Sequence, residues 1–123
     1  MAIEELDSTW LNYGTYFGDG VYEVIRSYNG KIFALDDHIL RLANSLKAIE
    51  LETVDAEIIR EQVVAAFERA SIKNAKIYLQ ITRGCGQRTH FMPEGIRPDV
   101  LILVSPLPDA TSQKESGINV ITY

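Results

Sequence analysis

The amino-acid sequence predicts an α+β domain with a largely antiparallel sheet, ordered as a β-hairpin, two helices and further strands. Three observations carry the prediction: a hairpin signal near the start, two successive stretches of helical periodicity, and an alternating segment after them. Strands and helices are grouped, not alternated one by one, which is the pattern of α+β packing and not of a doubly wound parallel sheet.

Residues 21–28 include Val21, Val24 and Ile25, which are β-branched, and the aromatic Tyr22 and Tyr28. Both kinds of side chain suit a pleated strand. Asn29-Gly30 follows, and these two residues accept positive φ at little cost, so a tight turn is expected. Residues 31–35 make the short return strand. Asp36 and Asp37 then offer a helix N-cap and put negative charge at the positive end of the dipole. Ile39, Leu42, Ala43, Leu46 and Ile49 recur at helical spacing, with Arg41 and Lys47 off the stripe. A second helix is predicted over about residues 55–71. Ile59, Val63, Ala66, Phe67 and Ala70 form its buried stripe, and Glu57, Arg60 and Glu61 its solvated face.

Residues 75–82 alternate, with Ile77, Leu79 and Ile81 on one face and Tyr78, Gln80 and Thr82 on the other, as in a half-buried strand. Residues 84–98 read as a loop broken by Pro93, Gly95 and Pro98. Residues 100–107 form an apolar run and predict a central strand, residues 106–117 a polar connector, and Ile118 the start of another strand. Tyr123 falls inside that last strand, which predicts a truncation or a domain boundary just beyond it.

Composition narrows the classes of function. Hydrophobic residues make up 46% and charged residues 24% of 123, a folded composition of one-domain size. No apolar run approaches the roughly 20 residues of a membrane span. The start, Met1-Ala2-Ile3-Glu4-Glu5, lacks the basic-then-apolar pattern of a secretory signal. A net charge of −5 with scattered basic residues argues against nucleic acid as the main partner. The single cysteine, Cys85, permits no internal disulfide and fits a reducing, cytoplasmic setting.

Several short motifs bear on chemistry. Gly18-Asp19-Gly20 has the first two glycines of a dinucleotide fingerprint, but Glu23 stands where the third belongs and a strand follows instead of a helix. That excludes a pyrophosphate cradle and leaves a glycine-permitted bend feeding a strand. In an extended loop, Arg88 and His90 point the same way. A guanidinium fork beside an imidazole suits a carboxylate, the alternative being a solvated loop with a surface salt bridge. Arg41 is either a surface arginine whose stem covers the core edge or a phosphate clamp. Cys85 sits near arginines that would lower its pKa, yet nothing assembles a nucleophilic site around it. His38 and His90 are far apart, with no metal-ligand cluster around either.

Taken together, three runs resemble the small domain of class IV pyridoxal-phosphate enzymes: Tyr16-Phe17-Gly18-Asp19-Gly20-Val21-Tyr22-Glu23-Val24-Ile25-Arg26, Tyr28-Asn29-Gly30-Lys31-Ile32-Phe33 and His38-Ile39-Leu40-Arg41-Leu42. Ile81-Thr82-Arg83-Gly84 and Arg88-Thr89-His90 are similar to the D-amino-acid aminotransferase branch. The resemblance implies a pyridoxal 5′-phosphate cofactor whose phosphate meets Arg41. It also implies a substrate carboxylate site lined by Tyr22 and completed by Arg88 and His90, often in the neighbouring subunit of a homodimer. The implied reaction moves an amino group between an amino acid, preferably a D-amino acid, and a 2-oxo acid.

The resemblance also shows departures. Leu11-Asn12-Tyr13-Gly14 replaces the family's acidic-arginine-glycine lead, and the opening is shorter. The family's Schiff-base lysine, the carboxylate partnering the pyridine nitrogen and the rest of the phosphate cup follow the small domain. Lys31, Lys47, Lys73, Lys76 and Lys114 do not match that lysine's position. Residues 1–123 are then expected to be an N-terminal small domain without the cofactor-lysine domain, with no catalytic residue and no transaminase activity alone. A branched-chain aminotransferase or an aminodeoxychorismate lyase is the alternative within the family, and the Arg-x-His loop argues against both. A stand-alone binding or assembly module, self-associating through an exposed apolar face, is the alternative outside it.

Overall fold

A computed structural model describes residues 7–91, 95–108 and 110–122. After a 3₁₀ turn at Ser8–Leu11, the elements are α1 (Tyr13–Phe17), β1 (Gly20–Tyr28), β2 (Lys31–Ile32), α2 (Leu35–Ala48), α3 (Ala56–Ala70), β3 (Ala75–Thr82), β4 (Asp99–Pro106) and α4 (Thr111–Ser116). The four strands form one antiparallel sheet in the order β2-β1-β3-β4. The α+β prediction therefore holds.

The hairpin forms as its turn residues dictate. Tyr28 pairs with Lys31, and Asn29 and Gly30 both carry positive φ, 51° and 81°. The return strand is shorter than the pattern suggests, ending at Ile32. Ala34 adopts a left-handed conformation (φ 50°) and itself caps α2. Asp36 and Asp37 consequently lie in the first helical turn and not at the N-cap. They still face the positive end of the dipole, and Asp36 accepts from Arg60 Nε of α3 at 3.0 Å.

Register decides which face of the sheet is core. Glu23 pairs with Leu79 and Ile25 with Ile77, and across the next gap Leu79 pairs with Ile102 and Ile77 with Val104. These side chains share the face on which the helices lie. Ile25, Ile77, Leu79 and Ile81 are fully buried there beneath Ile39, Leu42 and Leu46 of α2 and Ile59 and Val63 of α3. α2 packs on β1, α3 on β3 and β4, and the two helices on each other. The centres of both predicted stripes are thus buried, with Ile49 and Phe67 half-buried beside them. Each such side chain contributes about 1.5–3 kcal/mol by leaving water. Among the described residues no helix is long and apolar enough to cross a membrane.

Three further expectations change. Residues 100–107 do not form a central strand. β4 is an edge strand, and β1 and β3 occupy the middle of the sheet. Only Ile102 and Val104 of β4 pack on the core, while Leu101 and Leu103 project exposed from the opposite face. The connector before Gly117 contains α4. Ile118, Val120 and Ile121 are exposed and pair with no strand among the described residues; Tyr123 and Pro93 lie outside the described residues.

Leu79→Ala should lower the unfolding free energy by about 2–5 kcal/mol in urea titration. Leu103→Ala on the uncovered face should change it by no more than about 0.5 kcal/mol. Equal losses would contradict the assigned faces.

Candidate functional site

The strand alternation that buries Ile25 also buries Glu23, which is 3% exposed. A carboxylate taken out of water must be paired, and α2 supplies the partners. Arg41 Nε donates to Glu23 Oε1 at 2.7 Å and Arg41 Nη2 donates to Oε2. His38 Nδ1 lies 2.7 Å from Oε2. His38 and Arg41 are three apart on the helix, so they share the face that meets β1. With an ionised Glu23, Nδ1 of His38 carries the proton of this hydrogen bond. Burial pushes the Glu23 carboxyl upward, but hydrogen bonds and charge from Arg41 and His38 outweigh it, and its pKa falls below the ordinary value. The hydrogen bond to Glu23 and its charge raise that of Arg41.

Arg41 is therefore not an arginine awaiting a counter-charge, because Glu23 provides one. Its bidentate grip engages Nε and Nη2, however, and the side chain stays 65% exposed. Nη1 makes no hydrogen bond among the described residues, and it remains a donor for a second anion.

Tyr22, next to Glu23, points to the opposite, uncovered face and is exposed. Its ring stacks on Tyr78, centroids 6.1 Å apart and planes 23° apart. The Tyr78 hydroxyl donates to Gln80 Oε1 at 3.0 Å. Beside Tyr22 opens a cavity of about 190 Å³ lined also by Gly18, Gly20, Val21 and Gln80.

Arg88 and His90 each meet α1, an element that periodicity did not reveal. The Arg88 guanidinium lies over the Phe17 ring, 4.9 Å from its centroid, and the His90 ring centroid is 5.6 Å from that of Phe17. The loop is zippered to the chain before α1. Tyr13 N donates to Gly84 O at 2.8 Å, Gly86 N to Leu11 O at 2.9 Å, and the Tyr13 hydroxyl to Gln87 O at 2.8 Å. Gly84 is required at the root: its φ is +112°, and a Cβ there would come within 2.0 Å of Arg97 O. The Leu11-Asn12-Tyr13-Gly14 stretch is thus the seat of the loop.

Arg83, buried at 6% exposure, locks that root to the rest of the domain. Its Nε and Nη2 donate to Asp19 at 2.5 and 3.1 Å, and Nη2 also donates to Ile49 O at 2.6 Å. One guanidinium therefore ties together the loop, the entry to β1 and the C-terminal end of α2. Asp19 of the Gly18-Asp19-Gly20 run is an ion-pair partner as well as part of a bend. Cys85 departs from expectation. Burial and its hydrogen bond to Asp99 (3.2 Å) push its thiol up, not down, because Asp99 and not an arginine is its charged neighbour.

The signal for Glu23 was present in the sequence: a charged residue in phase with Val21 and Ile25 must be buried and needs cations on the element packed above it. For Phe17 no periodic signal exists.

Comparison with known proteins follows the same lines. Residues 20–123 match the family of class IV amino-transferases. A D-alanine aminotransferase of Bacillus licheniformis is 38% identical over 111 residues, covering 89% of this chain and 39% of that protein. Among solved structures, a fold IV-transaminase from Curtobacterium pusillum superposes with a TM-score of 0.71 at 28% identity, over 93% of this chain and 39% of its own. A 4-amino-4-deoxychorismate lyase from Pseudomonas aeruginosa shares the fold, with a TM-score of 0.75 at 24% identity, over 89% and 38%. The chain thus spans about two-fifths of the length of the relatives it matches.

The depressed pKa of Glu23 gives a pH test. As pH falls, the unfolded chain takes up the proton first, so stabilisation is complete above the unfolded value of about 4.3 and is lost as pH drops through the folded value. In urea titrations across that window the parent should lose stability more steeply than Glu23→Gln. Parallel slopes would show that the Glu23 charge is not held by its neighbours.

Proposed function

The chain belongs to the class IV aminotransferase family, and on that premise we propose that it is the N-terminal small domain of a pyridoxal-phosphate-dependent transaminase acting on D-amino acids and 2-oxo acids. What supports the substrate reading most is the placing of Arg88 and His90 against one ring, Phe17, with no carboxylate paired to Arg88 among the described residues. A guanidinium fork and an imidazole gathered at one ring can together receive a substrate carboxylate. Tyr22 adds a phenolic hydroxyl from the uncovered face of the sheet.

Pyridoxal phosphate, when bound, supplies the electron sink that makes amino transfer possible. The donor set fits its phosphate at one point, the Nη1 side of Arg41. Glu23 holds the guanidinium in place, and His38 shares that carboxylate. All five lysines that the sequence comparison set aside, Lys31, Lys47, Lys73, Lys76 and Lys114, are exposed. None occupies the sheltered setting that activates a lysine nucleophile. The residues of this chain therefore bind and orient, and the segment alone is inactive. In the assembled enzyme, a homodimer, the Arg88–His90 loop completes a carboxylate site.

In the intact protein Arg88→Ala should raise KM for both the amino acid and the oxo acid by about 10- to 100-fold, the worth of a charge-assisted hydrogen-bond pair, with a smaller change in kcat. D-Alanine should be turned over in preference to L-isoleucine. Turnover of L-isoleucine without D-alanine, and an unchanged KM in Arg88→Ala, would instead assign the protein to the branched-chain group.

A further inference from the structure

We infer that Phe17 is a positioning residue for the carboxylate-binding pair, acting as an aromatic platform that holds Arg88 and His90 without neutralising them. The inference rests on reading Arg88 and His90 as carboxylate binders. It concerns how they are held, which that reading leaves open.

Phe17 ends a helix of five residues, and its own position is fixed. Its ring meets Tyr13 at 5.7 Å and Tyr16 at 5.9 Å between centroids, and Tyr13 is 2% exposed. Gly18 terminates the helix in the left-handed region. The remaining, exposed part of the ring receives the loop: Arg88 at 4.9 Å over the face, and the His90 ring tilted by 56° at 5.6 Å. The Tyr13 hydroxyl holds the carbonyl of Gln87, the residue before Arg88. The same aromatic cluster therefore fixes both the backbone and the guanidinium.

The choice of an aromatic ring has a chemical consequence. A guanidinium hydrogen-bonds through N–H groups in its own plane and stacks through its face. Resting its face on a ring within about 6 Å stabilises the cation while leaving the edge donors free. A carboxylate in place of Phe17 would hold Arg88 more tightly, but would occupy those donors and cancel the charge that attracts the substrate. The ring orients Arg88 and preserves both properties.

The test uses the complete enzyme and steady-state kinetics with D-alanine and its oxo-acid co-substrate. Phe17→Leu, which keeps apolar bulk, should raise KM about 2- to 5-fold, the range of an exposed cation–π contact, with kcat within about twofold. Phe17→Trp should restore the parent KM. Phe17→pentafluorophenylalanine keeps the shape and reverses the ring quadrupole. It should behave like Phe17→Leu, and it carries the test if the leucine variant fails to fold. A parent-like KM in the pentafluoro variant, with Arg88→Ala raising KM, overturns the platform and leaves the carboxylate reading intact. An unchanged KM in Arg88→Ala removes that reading, and the platform with it.

Discussion

The position of α2 depends on one buried charge. Glu23 enters the core because strand alternation places it between Val21 and Ile25, on the face the helices cover. Taking a carboxylate out of water costs several kcal/mol unless hydrogen bonds and opposite charge compensate. Compensation comes from two residues one helical turn apart, so α2 must lie over β1 in a single register. The apolar stripe of Ile39, Leu42 and Leu46 would tolerate small sliding. The carboxylate does not, because a shift of one residue would separate it from both donors. The core therefore supplies most of the stability, and the buried ion pair specifies the alignment.

That alignment has a functional by-product. Holding Arg41 through Nε and Nη2 fixes its guanidinium plane at the edge of the domain with one nitrogen outward. Arg83 does similar structural work at the C-terminal end of α2, gripping Asp19 and the carbonyl of Ile49. Two arginines thus brace one helix, one at its middle and one at its C-terminal end. The Gly84 loop leaves from the second brace and is stapled onto α1, where Phe17 meets Arg88 and His90. Within this chain Arg41 and the Arg88–His90 loop are built on separate elements that share Arg83 and β1 as common supports.

Much of this was legible in the sequence where a period or a turn chemistry governed it. The Asn29-Gly30 hairpin, the two helical stripes and the alternation from Ile77 to Ile81 each follow from local rules. Arg41, Tyr22, Arg88 and His90 came from motif likeness and from donor chemistry. The rest was hidden for identifiable reasons. A helix of five residues has too few turns for a hydrophobic stripe, so α1, which ends at Phe17, carries no periodic signal. Its cap is local: Asn12 accepts from Gly14 N. The end of β2 at Ile32 is set by the left-handed turn at Ala34, a conformation for which alanine gives no hint. The apolar character of residues 100–107 cannot distinguish a central strand from an edge strand with an uncovered face. The Cys85 thiol is raised by burial and by Asp99, fourteen residues away, both beyond any local pattern.

Glu23 holds Arg41 so that one guanidinium nitrogen is free for an anion. A crystal structure of the complete enzyme with pyridoxal phosphate tests it most directly. The predicted result is Nη1 of Arg41 within hydrogen-bonding distance of the phosphate, with Nε and Nη2 still on Glu23 and His38 still on the same carboxylate. An Arg41 that has left Glu23 to grip the phosphate through Nε, or a phosphate bound without Arg41, would contradict that arrangement.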